Sequence, residues 1–449
     1  MPDISQKSTT SSTDDCSAVH DPEIQLEKNQ LRVVSNNETP LEYDFPEGSL
    51  RGWMVLIGST ISQFCAFGYT NAFGVYNDFY VRQYLKEKYT SSQISWIGSV
   101  QVLIAMSLGL FTGKAFDAGY FYHMAIGGTF ALSFSLFMLS LTRPESYYQV
   151  FLAQGLLSSI GIGLLYVPSL AIVSQYFKRH RAFAMGISSI GGALGGAIHP
   201  IMLNTLFHGR VGFHNGVRIS AGFLLGLMII SIALTKPRPP QMKTYKSSLW
   251  KDFCRFLCEP AYVLTTLGTF FTMISYYFPI FFLQLFAITQ GIDPKLAFYT
   301  LTILNGASIL GRIVPALVVN RYGVFNTMTL CLTGCTLLIF CDLGVKNATG
   351  IVLFAIAYGF FTGAFSGLLG PMVAALAKND AEIGARMGIC FTFSGIGGLL
   401  GNPIAGAFLS SSFEWWKPIV FAGMASAAGA ALTLAARFLL VKQRGTQFV

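Results

Sequence analysis

The chain has 449 residues, of which 53% are hydrophobic and only 11% are charged. An ordinary soluble domain carries about a quarter charged residues, so a core this large would lack the shell to stay dissolved, which excludes a soluble enzyme and a disordered scaffold. The net charge of +9 does not point to nucleic acid, because it is unevenly placed: residues 1–50 hold ten acids and three bases, and the excess of Lys and Arg lies after them.

Residues 1–50 are polar, acidic and without an apolar run, and are expected to be a disordered cytosolic tail. They lack the basic and apolar regions of a signal peptide. From residue 51 the character changes. A hydrocarbon core about 30 Å thick needs roughly 20 mainly apolar residues per helical crossing. Twelve such segments follow, at about 53–77, 94–113, 121–141, 148–176, 182–206, 217–235, 260–288, 296–319, 325–344, 350–377, 385–410 and 417–440. The first, fourth and seventh are long enough to include interfacial turns. The fifth and eleventh are rich in Gly and are the ones a hydropathy scan is expected to miss.

The expected fold class is therefore an all-α membrane protein of twelve transmembrane helices in two six-helix halves. The halves are 51–235 and 260–441, joined by a cytosolic loop at 236–259, with a short cytosolic tail at 442–449. With both termini cytosolic, inner segments hold twenty Lys and Arg and outer segments nine, the bias of the positive-inside rule. Asn347, in Asn347-Ala-Thr, is then an outward-facing glycosylation candidate, in a loop too short to favour use. The eight cysteines include no CxxC pair, and those within spans read as small apolar fillers.

The halves echo one another. Met185-Gly-Ile recurs as Met387-Gly-Ile and Gly195-Gly196 as Gly397-Gly398, both 202 residues later, and Pro168 recurs as Pro371. Two like halves are the architecture of a rocking secondary transporter. Three stretches carry a more specific likeness: Pro46 to Val55 entering span one, Tyr176 to Gly192 around the loop between spans four and five, and Asn305 to Gly323 in span eight. On these the chain resembles the major facilitator superfamily in its monocarboxylate porter branch, of fungal type, over roughly residues 46–441. The resemblance implies that an Arg in span eight binds a substrate carboxylate, and Arg312 is the matching position. The branch also has an Asp one turn before that Arg and a Lys in span one. Here Ser308 and Asn71 stand at those places, which argues against proton-coupled lactate transport.

The residues agree with this reading on their own terms. Arg312 is a charge in mid-span, costly unless it faces water or a partner, and its planar fork fits a carboxylate. Asn71, Asn305, Tyr276, Tyr277 and Phe361 are the expected substrate contacts, on spans that line the cavity in this superfamily or beside it. His199 is the one central group with a pKa range suited to proton coupling. Lys178, Arg179 and Arg181 hold the chain's inner face, and are expected to form a cytosolic gate by pairing with Asp380 and Glu382 of the other half. Gly-rich stretches 186–196 and 395–401 allow close helix approach.

No Walker A, zinc-protease or hydrolase motif is present in the sequence. The expected partners are a small organic solute, protons and the bilayer; no cofactor, metal, nucleic acid or partner protein is implied. The expected function is alternating-access transport of a monocarboxylate or related anion across the plasma membrane. Export of a fungal secondary metabolite is the alternative, and a non-transporting sensor that kept the carrier fold is the alternative of another class.

Overall fold

In a bilayer every backbone N–H and C=O has to find its partner inside the chain, so apolar sequence of this length folds as helix. The computed structural model describes residues 48–85, 88–177, 180–238, 249–378, 382–409 and 414–449. The expected acidic tail as far as residue 47, residues 239–248 of the central loop, and Lys178, Arg179 and Asp380 lie outside the described residues. Among the described residues there is no strand.

Eleven helices are long and apolar enough to cross a membrane: Gln93–Phe116, Phe121–Leu139, Tyr147–Ser174, Phe183–His208, Gly212–Leu234, Pro260–Thr289, Pro294–Tyr322, Val324–Gly344, Ala348–Ala374, Ile383–Phe408 and Trp416–Arg444. They are spans two to twelve. Span one is Leu50–Asn71, continued after Ala72 by Phe73–Phe79. It is the span that falls short on apolarity, because Ser59, Thr60, Ser62 and Gln63 interrupt it, whereas the Gly-rich fifth and eleventh qualify. Large apolar side chains on the outer faces, such as Phe130 at 67% exposure and Leu330 at 70%, need lipid to cover them.

Proline removes a backbone donor and bends a helix. Pro168, Pro200, Pro279, Pro315, Pro371 and Pro403 lie inside spans four, five, seven, eight, ten and eleven. Two π turns, Tyr80–Tyr84 and Phe151–Leu157, sit at the C-terminal end of span one and the N-terminal end of span four. Tyr80 Oη joins them by donating to Gln154 Oε1 at 2.5 Å.

The packing repeats with the sequence echo. Span one packs on five and six, as seven packs on eleven and twelve; two packs on four, as eight packs on ten; three packs on four and six, as nine packs on ten and twelve. The main joints between the halves form a matched pair as well: two against eleven, and eight against five. Missing side chains make these joints tight. A Cβ on Gly186 in span five would stand 3.1 Å from the carbonyl oxygen of Arg312 in span eight, and one on Gly113 would stand 3.1 Å from the carbonyl oxygen of Gly384.

The region expected to be a plain loop contains a further helix, Leu249–Leu257. It is short, basic on one side and preceded by prolines, so hydropathy does not single it out; its Phe256 is fully buried. At the other end, span twelve runs to Arg444 and stops at Gly445, whose φ of 66° is the left-handed cap that glycine favours. The last residues fold back, and Phe325 N–H donates to the carbonyl oxygen of Val449 at 2.9 Å.

Candidate functional site

Arg312 lies where span eight meets span five, and is 3% exposed. Its Nη1 donates to the carbonyl of Ser189, and its Nε donates to Ser308 Oγ at 3.4 Å. Gly192 makes the room, since a Cβ there would stand 3.4 Å from Nη1. Among the described residues no carboxylate pairs with this guanidinium. Its electrostatic neighbours are Tyr276, Tyr166 and Tyr277.

These tyrosines belong to an aromatic wall. Tyr166 stacks on Phe67 with ring centroids 4.9 Å apart, and Tyr276 stands edge-on to Tyr277, also at 4.9 Å. Phe365 tilts over Tyr276 at 5.7 Å, and Tyr276 Oη shares a hydrogen bond with Ser366 Oγ at 2.8 Å. Spans one, four, seven, eight and ten therefore deliver side chains to one place, and span five delivers a carbonyl. A planar cation that lacks an acid, set against flat rings, is chemistry for holding an ionised acid on a conjugated or aromatic body.

Two turns earlier in span eight, Asn305 Nδ2 donates to the carbonyls of Gly196 at 3.2 Å and Leu301 at 3.0 Å. Asn71 Nδ2 reaches the carbonyl of Gly192 at 3.4 Å. The two amides meet over Gly196, where a Cβ would stand 2.6 Å from Asn305 Oδ1 and 3.0 Å from Asn71 Cβ.

A second charged group lies at the other end of these helices. Arg386, at the start of span eleven, is fully buried. Its Nη1 and Nη2 donate to Glu259 at 2.8 and 3.1 Å, and its Nε and Nη2 donate to Glu382 at 3.2 and 3.1 Å. Its guanidinium carbon lies 4.2 Å from the ring centre of Phe256. Lys378 adds a 2.9 Å contact to Glu259, and Arg255 pairs with Glu382. Burial alone would raise the Glu259 carboxyl, but the hydrogen bonds from Arg386 and Lys378 outweigh it and hold the group below its ordinary 4.5.

Residues 59–348 match the Major Facilitator Superfamily. The chain belongs to that superfamily. Its relatives include the aspyridones efflux protein apdF of Emericella nidulans, 33% identical over 92% of this chain and 83% of that one. Another is the agnestins efflux protein AgnL12 of Paecilomyces divaricatus, 35% identical over 87% and 90%. Among solved structures, the nucleoside transporter NupG superposes with a TM-score of 0.65 at 16% identity, covering 86% of this chain and 99% of that chain. The E. coli fucose:proton symporter FucP gives 0.64 at 13% identity, over 85% and 99%. These two likenesses show the fold alone. The superfamily and the multi-pass membrane character thus stand, while the relatives named for a function are efflux proteins and not monocarboxylate porters.

The major facilitator fold brings together Arg312, Tyr276 and Tyr277, with Asn71 and Asn305 close by over Gly196. It sends Phe361 elsewhere: its ring fills the slot left by Gly334 of span nine, 2.7 Å from where a Cβ would be. Phe365, one turn on, takes the place at the wall. His199 is fully buried, with Nε2 3.1 Å from the carbonyl oxygen of Phe64. Its ring packs on Phe64 at 4.5 Å and Tyr69 at 5.6 Å, on the span-one side of span five. Glu382 was expected to face the bases of the opposite half, and instead its carboxylate is held by Arg255 and Arg386. Arg181 opens span five. Asn347 caps span ten, its Oδ1 accepting from Gly350 N–H at 2.7 Å. Tyr166 and the central place of Arg386 were missed. In the sequence Tyr166 is one of many polar residues within spans and Arg386 one of many bases near span ends, so nothing there singles them out.

Proposed function

We propose that this major facilitator exports an amphipathic organic anion, a secondary metabolite of the kind for which its fungal relatives are named. The observation that carries the reading is Arg312, a buried guanidinium without a carboxylate partner among the described residues, set among tyrosines between spans five and eight. A buried cation left without a counterion is costly, and a cargo acid supplies the missing charge. The relatives' names favour export over uptake of a small monocarboxylate, the reading that the sequence put first.

In this proposal the protein sits in the plasma membrane with both termini cytosolic, as the distribution of Lys and Arg favours. The halves 51–235 and 260–441 rock about the joints of spans two with eleven and five with eight. Arg386 and its acids hold the inner ends of spans seven, ten and eleven together while they move. The test uses yeast cells preloaded with biphenyl-4-carboxylate. Cells making the wild-type protein should lose the probe several times faster than vector controls, and Arg312→Gln should lose it at the control rate. Wild-type loss at the control rate would overturn the reading. The same assay at two outside pH values reads the proton coupling expected at His199, which His199→Gln should abolish.

A further inference from the structure

Three polar groups beside Arg312 or beyond it along the path are buried and have unpartnered atoms. Asn402 of span eleven is 1% exposed, and neither its Nδ2 nor its Oδ1 finds a hydrogen-bond partner among the described residues. Tyr277 Oη, on a residue also 1% exposed, is likewise unpartnered, as is Oδ1 of Asn71 at 3% exposure. Folded proteins satisfy nearly all their buried polar atoms, and an unpaired amide in an apolar interior is destabilising. Finding several of them in the same region needs a reason.

The repeat shows how they are placed. Gly196 of span five touches Asn305 of span eight and Asn71 of span one. Its counterpart Gly398 of span eleven touches Val102 of span two, 3.1 Å from a Cβ there, and the ring of Tyr277 of span seven at 3.6 Å. The two contacts mirror each other across the interface between the halves. Asn402 follows Gly398 by four residues, so it lies on the same helix face, one turn outward, toward spans two and seven. The guanidinium of Arg312 lies at the level of Gly192, whose counterpart in span eleven is Ser394. Asn402 is eight residues beyond Ser394, about 12 Å along the helix axis.

We propose that Asn402, on the face of span eleven that the Tyr277 ring covers at Gly398, forms with the Tyr277 hydroxyl a second, neutral subsite of the cargo path. It takes a hydroxyl, carbonyl or amide at the end of the cargo remote from its acid. An amide that keeps both a donor and an acceptor free suits such groups, and a charge is not required of them. The aromatic wall between the two subsites takes the flat body. The cargo class is therefore an elongated anion with a neutral polar group at its far end, and a short monocarboxylate cannot reach both places. This inference rests on Arg312 as the anion anchor.

The test measures binding of two rigid probes to the purified full chain in detergent. These are biphenyl-4-carboxylate and 4′-hydroxybiphenyl-4-carboxylate, which carries a hydroxyl at the end opposite its acid. The wild-type protein should bind the hydroxylated probe roughly fivefold tighter, the worth of one hydrogen bond. Asn402→Leu should bind both probes equally, with the affinity for biphenyl-4-carboxylate unchanged and a melting temperature equal to or above that of the wild type. Tyr277→Phe, which removes one oxygen, should narrow the preference and provides the reading if Asn402→Leu does not fold. Equal binding of the two probes by the wild type would overturn the subsite. So would a preference that survives in both variants, or a fall in melting temperature with discrimination intact, which would make Asn402 a packing group. Failure of the anchor reads differently: Arg312→Gln would then keep its affinity for both probes.

Discussion

Arg312 and Arg386 are both buried guanidiniums, yet their surroundings give them opposite roles. Arg386 has its charge met by Glu259 and Glu382 and its flat face covered by Phe256. Arg312 has a carbonyl, a hydroxyl and tyrosines. Removing one member of a buried ion pair leaves the other uncompensated, at a cost of about 3–5 kcal/mol. Arg386→Gln should therefore lower the melting temperature markedly, whereas Arg312→Gln should leave it near the wild type; thermal melting of the purified variants checks both. Acid should act on the same cluster. The Glu259 carboxyl is held below its unfolded value, so its contribution to stability is full above the ordinary carboxylate range and is lost as pH falls through the folded value. Melting temperature should drop on acidification in the wild type, and by less in Glu259→Gln. Arg312 was legible in the sequence because a charge in mid-span stands out. The role of Arg386 was not, because Glu259 lies 127 residues away and only the fold makes them neighbours.

At the scale of elements, the glycines decide which helices touch. Gly195 meets Gly68 backbone to backbone, while Gly226 of span six has nothing within 4 Å of a Cβ. Gly195→Val should force spans one and five apart and give a protein that aggregates on size-exclusion chromatography. Gly226→Ala should remain monodisperse and gain up to about 1 kcal/mol of helix stability. The Gly-rich runs could be read as close-packing surfaces from spacing alone, but which glycine faces which neighbour could not. The same limit explains Phe361 and Phe365. Both sit on span ten one turn apart, and only the slot at Gly334 shows why one turns to span nine and the other to the wall. The helix at Leu249–Leu257 escaped for a different reason: it is too short and too charged for the pattern that marks a span.

For the whole molecule, the repeat of Met185 at Met387, of Gly196 at Gly398 and of Pro168 at Pro371 already implied two like halves, and the helix packing repeats in the same register. Length and apolarity sufficed for the helices because the bilayer leaves the backbone few alternatives. The cargo was less legible, since substrate choice depends on groups that converge from six helices. Both ends of the path carry contacts between the halves: Gly113 with Gly384 at one end, and Phe73 with Phe281, ring centroids 5.9 Å apart, toward the other. If the halves rock, locking the first contact should stop transport. The double variant Gly113→Cys, Gly384→Cys should export when reduced, at a lowered rate because the added side chains crowd the joint, and stop when oxidised, with recovery on reduction. Export that continues under full cross-linking would mean that this end does not open.

The central claim is that a single buried guanidinium holds an anionic cargo between the two halves. Flux of biphenyl-4-carboxylate through the protein reconstituted in liposomes tests it most directly, with wild type, Arg312→Lys and Arg312→Gln compared at equal protein density. Flux should fall to the protein-free rate in Arg312→Gln, at an unchanged melting temperature, and should be intermediate in Arg312→Lys, which keeps the charge but loses the planar fork. Wild-type flux through folded Arg312→Gln would contradict it.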